Sequence, residues 1–203
     1  MADSAERRWL VVGLGNPGPE YEWTPHNAGF LAVDQFAARN SIRVHRKECL
    51  ALVGGTEQLM VAKPQTFMNE SGGAVKQLLA KYGFSASQLL LVYDELALPF
   101  GHLRLRPQGS AAGHNGVSSV IRSIGTPEFP RLRIGVHPGE GRTGGKDYLL
   151  SPVRRGQRQE LDLVLEQAAL AIESVVAEGV DKSMAKFNRR AEPDQQGPPS
   201  AKS

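Results

Sequence analysis

Six amide, imidazole and carboxylate side chains stand close behind predicted strands, where they could do chemistry together. Asn16 and His26 follow the first apolar run, and Asn69 follows the next group of strands. Asp94 ends the most apolar strand, and His114 and Asn115 precede a helix. In an α/β sheet the carboxyl ends of the strands converge on a crevice, and loops there carry most active sites. We therefore expect these side chains to share one crevice.

A His/Asp pair without a nucleophilic side chain predicts a general base that activates water. The sequence has no G-x-S-x-G elbow, no H-E-x-x-H and no C-x-x-C, so neither a serine hydrolase nor a zinc enzyme is indicated. Asp94 would hold the imidazole tautomer and stabilise the imidazolium that forms. Asn69 and Asn115 could donate hydrogen bonds to a substrate carbonyl or a developing oxyanion. This chemistry fits a metal-free hydrolase of an ester or amide, although asparagine next to glycine or proline is also ordinary turn chemistry.

The loop Gly13-Leu-Gly-Asn-Pro-Gly18 also satisfies G-x-G-x-x-G, the dinucleotide-binding pattern. A dinucleotide loop runs directly into a helix whose N-terminal amides hold the pyrophosphate. Pro17 removes one such donor, and Pro19 and Pro25 keep the chain irregular to about residue 27. The nearest acidic residue, Asp34, falls inside the next predicted helix and not at a strand end, where a ribose would need it. We therefore expect no nucleotide at this loop.

Composition places the chain among ordinary globular proteins. It has 203 residues, of which 40% are hydrophobic and 22% charged, and its single cysteine excludes an internal disulfide and fits a reducing compartment. No run approaches the ~20 apolar residues of a membrane span and no secretory signal is visible, so we expect a cytoplasmic protein. Residues 101–160 hold ten Lys/Arg against four Asp/Glu. This excess favours a phosphate-bearing partner, but it suits a solvated basic face equally well.

Alternating strand and helix patterns predict a single three-layer α/β domain with a mixed sheet. We predict strands over 9–14, within 43–63, and over 89–93, 103–106 and 131–136, with a hairpin turn at Gly54-Gly55. Predicted helices cover 28–39 with Asn27 as N-cap, a segment ending near 81, and 117–124, 156–178 and 181–188. The domain is expected to cover 1–190, and the Pro/Gln/Ser-rich tail 191–203 is expected to be disordered.

Six blocks, in this order and spacing, resemble bacterial peptidyl-tRNA hydrolase: GLGNPGPEY, PHNAGF, KPQTFMNESG, VYDEL, AGHNG and FPRLRIGVHPG. The likeness runs from about Trp9 to Arg190. It implies a monomeric enzyme with a three-layer α/β/α fold, a twisted mixed β-sheet and no cofactor or metal. It further implies cleavage of the ester between peptide and tRNA, which frees tRNA after premature drop-off in translation. The implied partner is the acceptor stem and CCA end of peptidyl-tRNA, with no DNA and no membrane.

Residue by residue, the resemblance implies roles for these side chains. His26 matches the catalytic base, Asp94 the carboxylate that keeps it basic, and Asn16 the residue that distinguishes N-blocked peptidyl from free aminoacyl substrate. The residues that match the acceptor-end site or line the same crevice are Tyr21, Phe67, Met68, Asn69, His114 and Asn115. Arg106 and Arg133 match basic residues that clamp the 5′-terminal phosphate of tRNA, which agrees with the basic excess and with the affinity of arginine forks for phosphate.

Two positions depart from the family's usual pattern. The family usually has arginine before the His-Asn pair, where this chain has Pro25, and its loop before His-Asn-Gly is richer in glycine than residues 108–113. Neither departure removes a catalytic group. The alternative is a non-catalytic RNA-binding relative of the same fold, but such a protein would have no need of the base.

Overall fold

The computed structural model describes residues 8–139 and 144–188, so the predicted tail 191–203 lies outside the described residues. Within these ranges the strands are β1 (Trp9–Gly13), β2 (Arg46–Glu48), β3 (Ala51–Gly55), β4 (Leu59–Pro64), β5 (Leu89–Pro99), β6 (Leu103–Arg106) and β7 (Arg131–His137). The helices are α1 (Ala28–Arg39), α2 (Ser71–Tyr82), α3 (Asn115–Ile124), α4 (Lys146–Leu149), α5 (Arg155–Glu178) and α6 (Val180–Phe187). Single 3-10 turns cover Pro25–Asn27, Met68–Glu70 and Ala86–Gln88.

The strands form one mixed sheet in the order β2-β3-β4-β1-β5-β7-β6. The central strands β4, β1, β5 and β7 are parallel, whereas β2, β3 and β6 run antiparallel to their neighbours. All of β1 and the first five residues of β5 are buried, as their unbroken apolar sequences predict for strands covered on both faces, and Asp94, which follows them, is buried too. In the sheet, β4 lies on one side of β1 and β5 lies on the other. Helix α2 connects β4 to β5, so the strand order reverses at β1. This reversal opens a crevice at the carboxyl ends of β4, β1 and β5.

Helices cover both faces of the sheet, which confirms the three-layer α/β/α prediction. One apolar core joins the sheet to α1 and α5, and the other joins it to α2 and α3. At the sheet edge, Glu48 of β2 accepts hydrogen bonds from the Lys81 ammonium at 2.7 Å and from the Tyr82 hydroxyl. These two bonds lower the pKa of Glu48 to about 2. Across the described ranges, no helix has the length and apolarity needed to cross a membrane.

The structure corrects three local predictions. Gly54 and Gly55 end β3 instead of forming the hairpin turn, which lies at residues 56–58. Gly55 has a φ of +95°, and a Cβ there would lie 2.1 Å from the Leu59 carbonyl oxygen, so this glycine serves a close strand approach. Strand β5 continues beyond Asp94 to Pro99, with a register shift on β7. Helix α3 begins at residue 115, two residues earlier than predicted, and the four residues of α4 are too few for a periodic pattern to reveal.

Candidate active site

The crevice at the strand ends has a volume of about 810 Å³, within the usual range of small-molecule sites. Nine of the eleven predicted site residues line it: Asn16, Tyr21, His26, Phe67, Met68, Asn69, Asp94, His114 and Asn115. The expectation that side chains following separate strands share one crevice is therefore confirmed. Arg106 and Arg133 are not among its lining residues.

His26 and Asp94 are in direct contact at the base of the crevice. The Nδ1 atom of His26 lies 3.0 and 2.9 Å from the two carboxylate oxygens of Asp94. An ionised carboxylate only accepts hydrogen bonds, so Nδ1 carries a proton, and in the neutral imidazole Nε2 is the nitrogen that keeps its lone pair. Asp94 is 1% exposed, whereas the His26 side chain is 13% exposed to the crevice. The pair thus presents one unprotonated imidazole nitrogen to a ligand.

The 3-10 turn Pro25–Asn27 holds His26 in this position. Pro25 is buried at the first position of the turn, where its missing N–H is not needed and its fixed φ favours the turn. The hydroxyl of Thr24, which is fully buried, donates to the Tyr21 carbonyl at 2.8 Å, and the Thr24 backbone carbonyl accepts from the Asn27 backbone N–H at 3.0 Å. Pro25 therefore stiffens the approach to the His26 imidazole.

His114 is a second imidazole bound to the same carboxylate. Its Nε2 lies 2.9 Å from Asp94 Oδ1, and its Nδ1 accepts from the backbone amides of Gly116 and Val117 at 3.1 and 3.3 Å. These amides belong to the first turn of α3, so His114 is the N-cap of that helix. Because Nδ1 accepts, Nε2 must carry the proton and donate to Asp94.

The two imidazoles keep Asp94 ionised despite its burial. Burial alone would raise the pKa of the Asp94 carboxyl, but the electrostatic attraction of the His114 N–H and the hydrogen bonds from His114 and His26 outweigh it. The net result is a pKa well below the usual range of an aspartic acid. Asp94 is therefore a permanent anion at neutral pH.

His26, Asp94 and His114 also form the one group of potential metal ligands found among the described residues. Both imidazole N–H groups point at the Asp94 carboxylate over 2.9–3.0 Å. A metal bound along these directions at about 2.0–2.1 Å from each nitrogen would lie within about 1 Å of a carboxylate oxygen. The carboxylate thus occupies the place that a metal would need, and the donor set fits hydrogen bonding better than coordination.

Asn16 is fixed by three hydrogen bonds. Its backbone N–H donates to Asn27 Oδ1 at 2.9 Å, and Asn27 Nδ2 donates back to the Asn16 carbonyl at 3.0 Å. Its side-chain oxygen accepts from the Met68 amide at 2.8 Å. The side-chain NH₂ of Asn16 is therefore left to face the crevice as a donor, with no partner in the described part of the chain. Asn27 occupies the N-cap position of α1 as predicted, but its side chain binds Asn16 and makes no cap bond.

Asn69 and Asn115 lie at the N-termini of the two helices that border the crevice. Both side chains are exposed, and neither makes a hydrogen bond within the described residues. The helices themselves are locked together, because a Cβ on Gly72 of α2 would lie 2.1 Å from the Ser119 carbonyl oxygen of α3. The crevice wall beside them contains Met68, which is 4% exposed, and Phe67, which is 56% exposed. Free amides and an exposed aromatic ring thus stand together at the rim.

The two predicted phosphate ligands lie on the β6–β7 edge of the sheet. Arg133 pairs in register with Arg104, and Arg106 pairs with Arg131, so all four side chains share one face. Arg133 lies 3.5 Å from Glu95, which lines the crevice next to Asp94. The arginines therefore flank the crevice without entering it.

Packing, not nucleotide binding, explains the glycines of the first loop. A Cβ on Gly13 would lie 2.4 Å from the Gly29 carbonyl oxygen, and one on Gly15 would lie 2.6 Å from the Phe30 ring. Helix α1 thus rests directly on the end of β1. Asp34 lies in α1, as predicted, and binds Lys63 at 2.7 Å. These contacts agree with the absence of a dinucleotide loop expected from Pro17.

Sequence reasoning missed part of the crevice wall. Glu95 and Leu96 of β5 and residues 145–146 and 149–150 also line it. Lys146 belongs to the basic segment 101–160. It reaches the crevice wall because residues 144–153 fold over the loop that precedes His26, and this fold was not predicted from the sequence. One bond of that fold joins the Val153 amide to the Trp23 carbonyl at 2.7 Å. The remaining histidines, 45, 102 and 137, are not among the lining residues.

Comparison with known proteins identifies relatives of this chain in sequence and in structure. A family model described as peptidyl-tRNA hydrolase matches residues 10–195. The peptidyl-tRNA hydrolase of Solibacter usitatus is 50% identical over 187 residues, covering 90% of this chain and 95% of that protein. That of Acidobacterium capsulatum is 48% identical over 190 residues, covering 90% and 96%. A crystal structure of peptidyl-tRNA hydrolase from Acinetobacter baumannii matches with a TM-score of 0.80 at 31% identity, covering 90% and 95%.

Proposed function

The chain belongs to the peptidyl-tRNA hydrolase family, and from that premise we propose how its own side chains hydrolyse the ester bond between peptide and tRNA. His26 is the general base. The observation that carries this assignment is the contact of its Nδ1 with Asp94, which leaves Nε2 unprotonated and open to the crevice. Imidazole is the side chain best suited to accept a proton near neutral pH.

In the first step His26 Nε2 takes a proton from a water molecule as the water oxygen attacks the ester carbonyl carbon. The carbonyl oxygen becomes an oxyanion in a tetrahedral intermediate. Asn69 and Asn115 donate hydrogen bonds to that oxyanion or to the water, a role supported by their unpaired side chains at the rim. Asp94 stabilises the imidazolium that forms.

In the second step the intermediate collapses and the bond to the ribose oxygen breaks. The imidazolium returns its proton to that oxygen, so the products are a peptide with a free carboxyl group and tRNA with a free terminal hydroxyl. No side chain is acylated, and His26 ends in its starting state. The scheme needs no metal or cofactor.

Asn16 selects the N-blocked substrate in this scheme. With its oxygen held by Met68, Asn16 offers the crevice only a donor. A peptidyl group has an amide carbonyl that accepts this hydrogen bond. A free aminoacyl group has an ammonium in that region, which is itself only a donor and leaves both groups unpaired.

The tRNA end is bound at the rim and along the basic edge. Phe67 and Tyr21 present aromatic faces on which bases of the CCA end stack. Met68, His114 and Asn115 complete the acceptor-end site, and Arg106 and Arg133 clamp the 5′-terminal phosphate of the acceptor stem. Their position on the sheet edge, beside the crevice, supports a contact with tRNA outside the reacting ester.

We propose further that residues 1–190 act as a single catalytic domain, as a monomer in the cytoplasm, where it recycles tRNA during translation. The lone cysteine supports the location.

One assay tests the function. The release of the acyl group from N-acetyl-aminoacyl-tRNA is measured in EDTA, beside unblocked aminoacyl-tRNA and the His26→Ala variant. We expect rapid cleavage of the blocked substrate only, and only by the unmodified protein. Tight tRNA binding without cleavage would instead support the RNA-binding alternative.

A further inference from the structure

Arg131 is a buried cation that the proposed mechanism does not use. It begins β7, is 0% exposed and is the largest fully buried side chain of the described residues. A buried arginine normally has a carboxylate partner. Within the described ranges no carboxylate lies at ion-pair distance from Arg131, so its charge is compensated in another way.

Backbone carbonyl groups of two different loops take the place of a carboxylate. The Nη1 atom of Arg131 donates to the Ser110 carbonyl at 3.0 Å, and Nη2 donates to the Pro127 carbonyl at 2.8 Å. The guanidinium also stacks on the Phe129 ring, 4.3 Å from its centroid. Arg131 therefore joins the loop before α3 to the loop before β7.

The loop before α3 has few hydrogen bonds of its own, although Ala111 packs against the core beside α2 and α3. Gly109, Ala112 and Gly113 have φ values of +159°, +47° and +84°, so its backbone is irregular and in part strained. Among the described residues, the hydrogen bonds to its carbonyls are the one from Arg131 to Ser110 and one from the His114 amide to Ala111 at 2.9 Å. The loop ends at His114 and Asn115, which line the crevice.

Arg131 is also connected to the His114 imidazole through Tyr93. Tyr93 of β5 is buried, and its hydroxyl interacts with the guanidinium. The Tyr93 ring packs edge-on against His114, with 4.9 Å between ring centroids and a 61° angle between planes. His114 is thus held from the loop side and from the sheet side by groups that both contact Arg131.

We propose that Arg131 is a positioning residue for the hydrolysis, which fixes the 109–113 loop and thereby holds the His114 imidazole against Asp94. The proposal rests on the proposed function of this crevice. A lysine at this position would carry the charge but could not span both carbonyls, because only the guanidinium offers donors in a fixed fork.

Amide hydrogen exchange tests the attachment without substrate. The Arg131→Lys variant is compared with the unmodified protein and with Arg122→Lys, a control at an exposed arginine of α3. We expect faster exchange in Arg131→Lys only at the amides that depend on this loop and on the His114 ring, those of His114, Gly116 and Val117, with β1 and β5 unchanged. Unchanged exchange at these amides would overturn the proposal. If Arg131→Lys does not fold, Tyr93→Phe, which removes only the hydroxyl beside the guanidinium, should produce a smaller change at the same amides.

A double-mutant cycle tests the effect on catalysis. Displacing a catalytic group by about 1 Å costs about a hundredfold in rate, so we expect Arg131→Lys to lower kcat by about ten- to a hundredfold with KM nearly unchanged. In a His114→Ala background the same substitution should have much less effect, because the imidazole it positions is absent. Independent, multiplicative effects of the two substitutions would show a general structural role and refute the positioning role. If the unmodified protein fails to cleave N-acetyl-aminoacyl-tRNA, the proposed function fails, and hydrogen exchange still decides whether Arg131 holds the loop.

Discussion

Replacement of Asp94 by asparagine changes the active site through the two imidazoles that share this carboxylate. Asparagine keeps one acceptor oxygen and replaces the other with an NH₂ donor. His114 must donate from Nε2, because the amides of α3 occupy its Nδ1, so His114 takes the remaining oxygen. The NH₂ group then faces His26 Nδ1 and favours the tautomer with its proton on Nε2. In that tautomer His26 can no longer accept a proton from water.

The size of the effect follows from the lost charge and the wrong tautomer. Two opposite charges about 4 Å apart in a protein interact by about 4 kcal/mol, and each 1.36 kcal/mol is about a factor of ten in rate. Loss of the stabilised imidazolium alone therefore predicts about a thousandfold decrease in kcat. The tautomer change acts in the same direction, and the same substitution in a Ser-His-Asp triad costs about 10⁴. We expect kcat to fall by about 10³ to 10⁴ in Asp94→Asn.

Single-turnover hydrolysis of N-acetyl-aminoacyl-tRNA, with enzyme in excess, measures this decrease directly. Asp34→Asn is the matched control, because this carboxylate on α1 binds Lys63 of β4 and lies outside the crevice. The control should keep its rate, and tRNA binding by Asp94→Asn should be unchanged. A decrease of less than tenfold would refute the pairing of His26 with Asp94 as the source of basicity.

Four further outcomes test the remaining assignments. His26→Ala should abolish turnover but keep tRNA binding in a filter assay, and parallel loss of binding would make His26 structural. Asn16→Asp should raise the rate on free aminoacyl-tRNA relative to the N-acetyl substrate, because a carboxylate oxygen would accept from the ammonium; an unchanged ratio would contradict selection by Asn16. Arg106→Ala and Arg133→Ala should each weaken tRNA binding and reduce the slope of log K against log salt by about 1, and an unchanged slope would place the clamp elsewhere. Glu48 has a pKa of about 2 in the folded protein against 4.5 ordinarily, so its stabilisation is complete above pH 4.5 and is lost as the pH falls toward 2. The free energy of unfolding should therefore differ between the unmodified protein and Glu48→Gln above pH 4.5, and this difference should shrink in acid.

Hydrophobic patterning was sufficient to predict the sheet and the main helices. The unbroken apolar runs of β1 and β5 could only be buried strands, and polar side chains at their ends had to meet where the strand order reverses. The exceptions are local. Gly54-Gly55 looks like a turn in sequence, yet the pair lies in a strand because the Leu59 carbonyl passes too close for a Cβ. Sequence periodicity contains no information about such a cross-strand distance.

The hydrogen bonds that orient the side chains of the site were not predictable from sequence. His26 and Asp94 are 68 residues apart, and Asn16 and Met68 are 52 apart, so neither pairing leaves a local pattern. The Asn16–Met68 bond is the one that turns the side-chain NH₂ toward the crevice. Without the bond, the amide could present either its oxygen or its nitrogen to substrate. The resemblance to a known family implied a selective role for Asn16, but only the structure supplies a physical reason for it.

Residue types alone also could not decide which histidine is the base, because His26 and His114 both touch Asp94 over about 3 Å. The difference lies in their second nitrogens. Nδ1 of His114 accepts from two backbone amides of α3, and its Nε2 donates to Asp94, so both nitrogens are occupied. The His114 ring can therefore neither take up a proton from water nor change tautomer without breaking the helix cap. Nε2 of His26 has no partner among the described residues. His114 therefore serves to hold Asp94 ionised and in place, and His26 is left as the imidazole that can exchange a proton with the substrate.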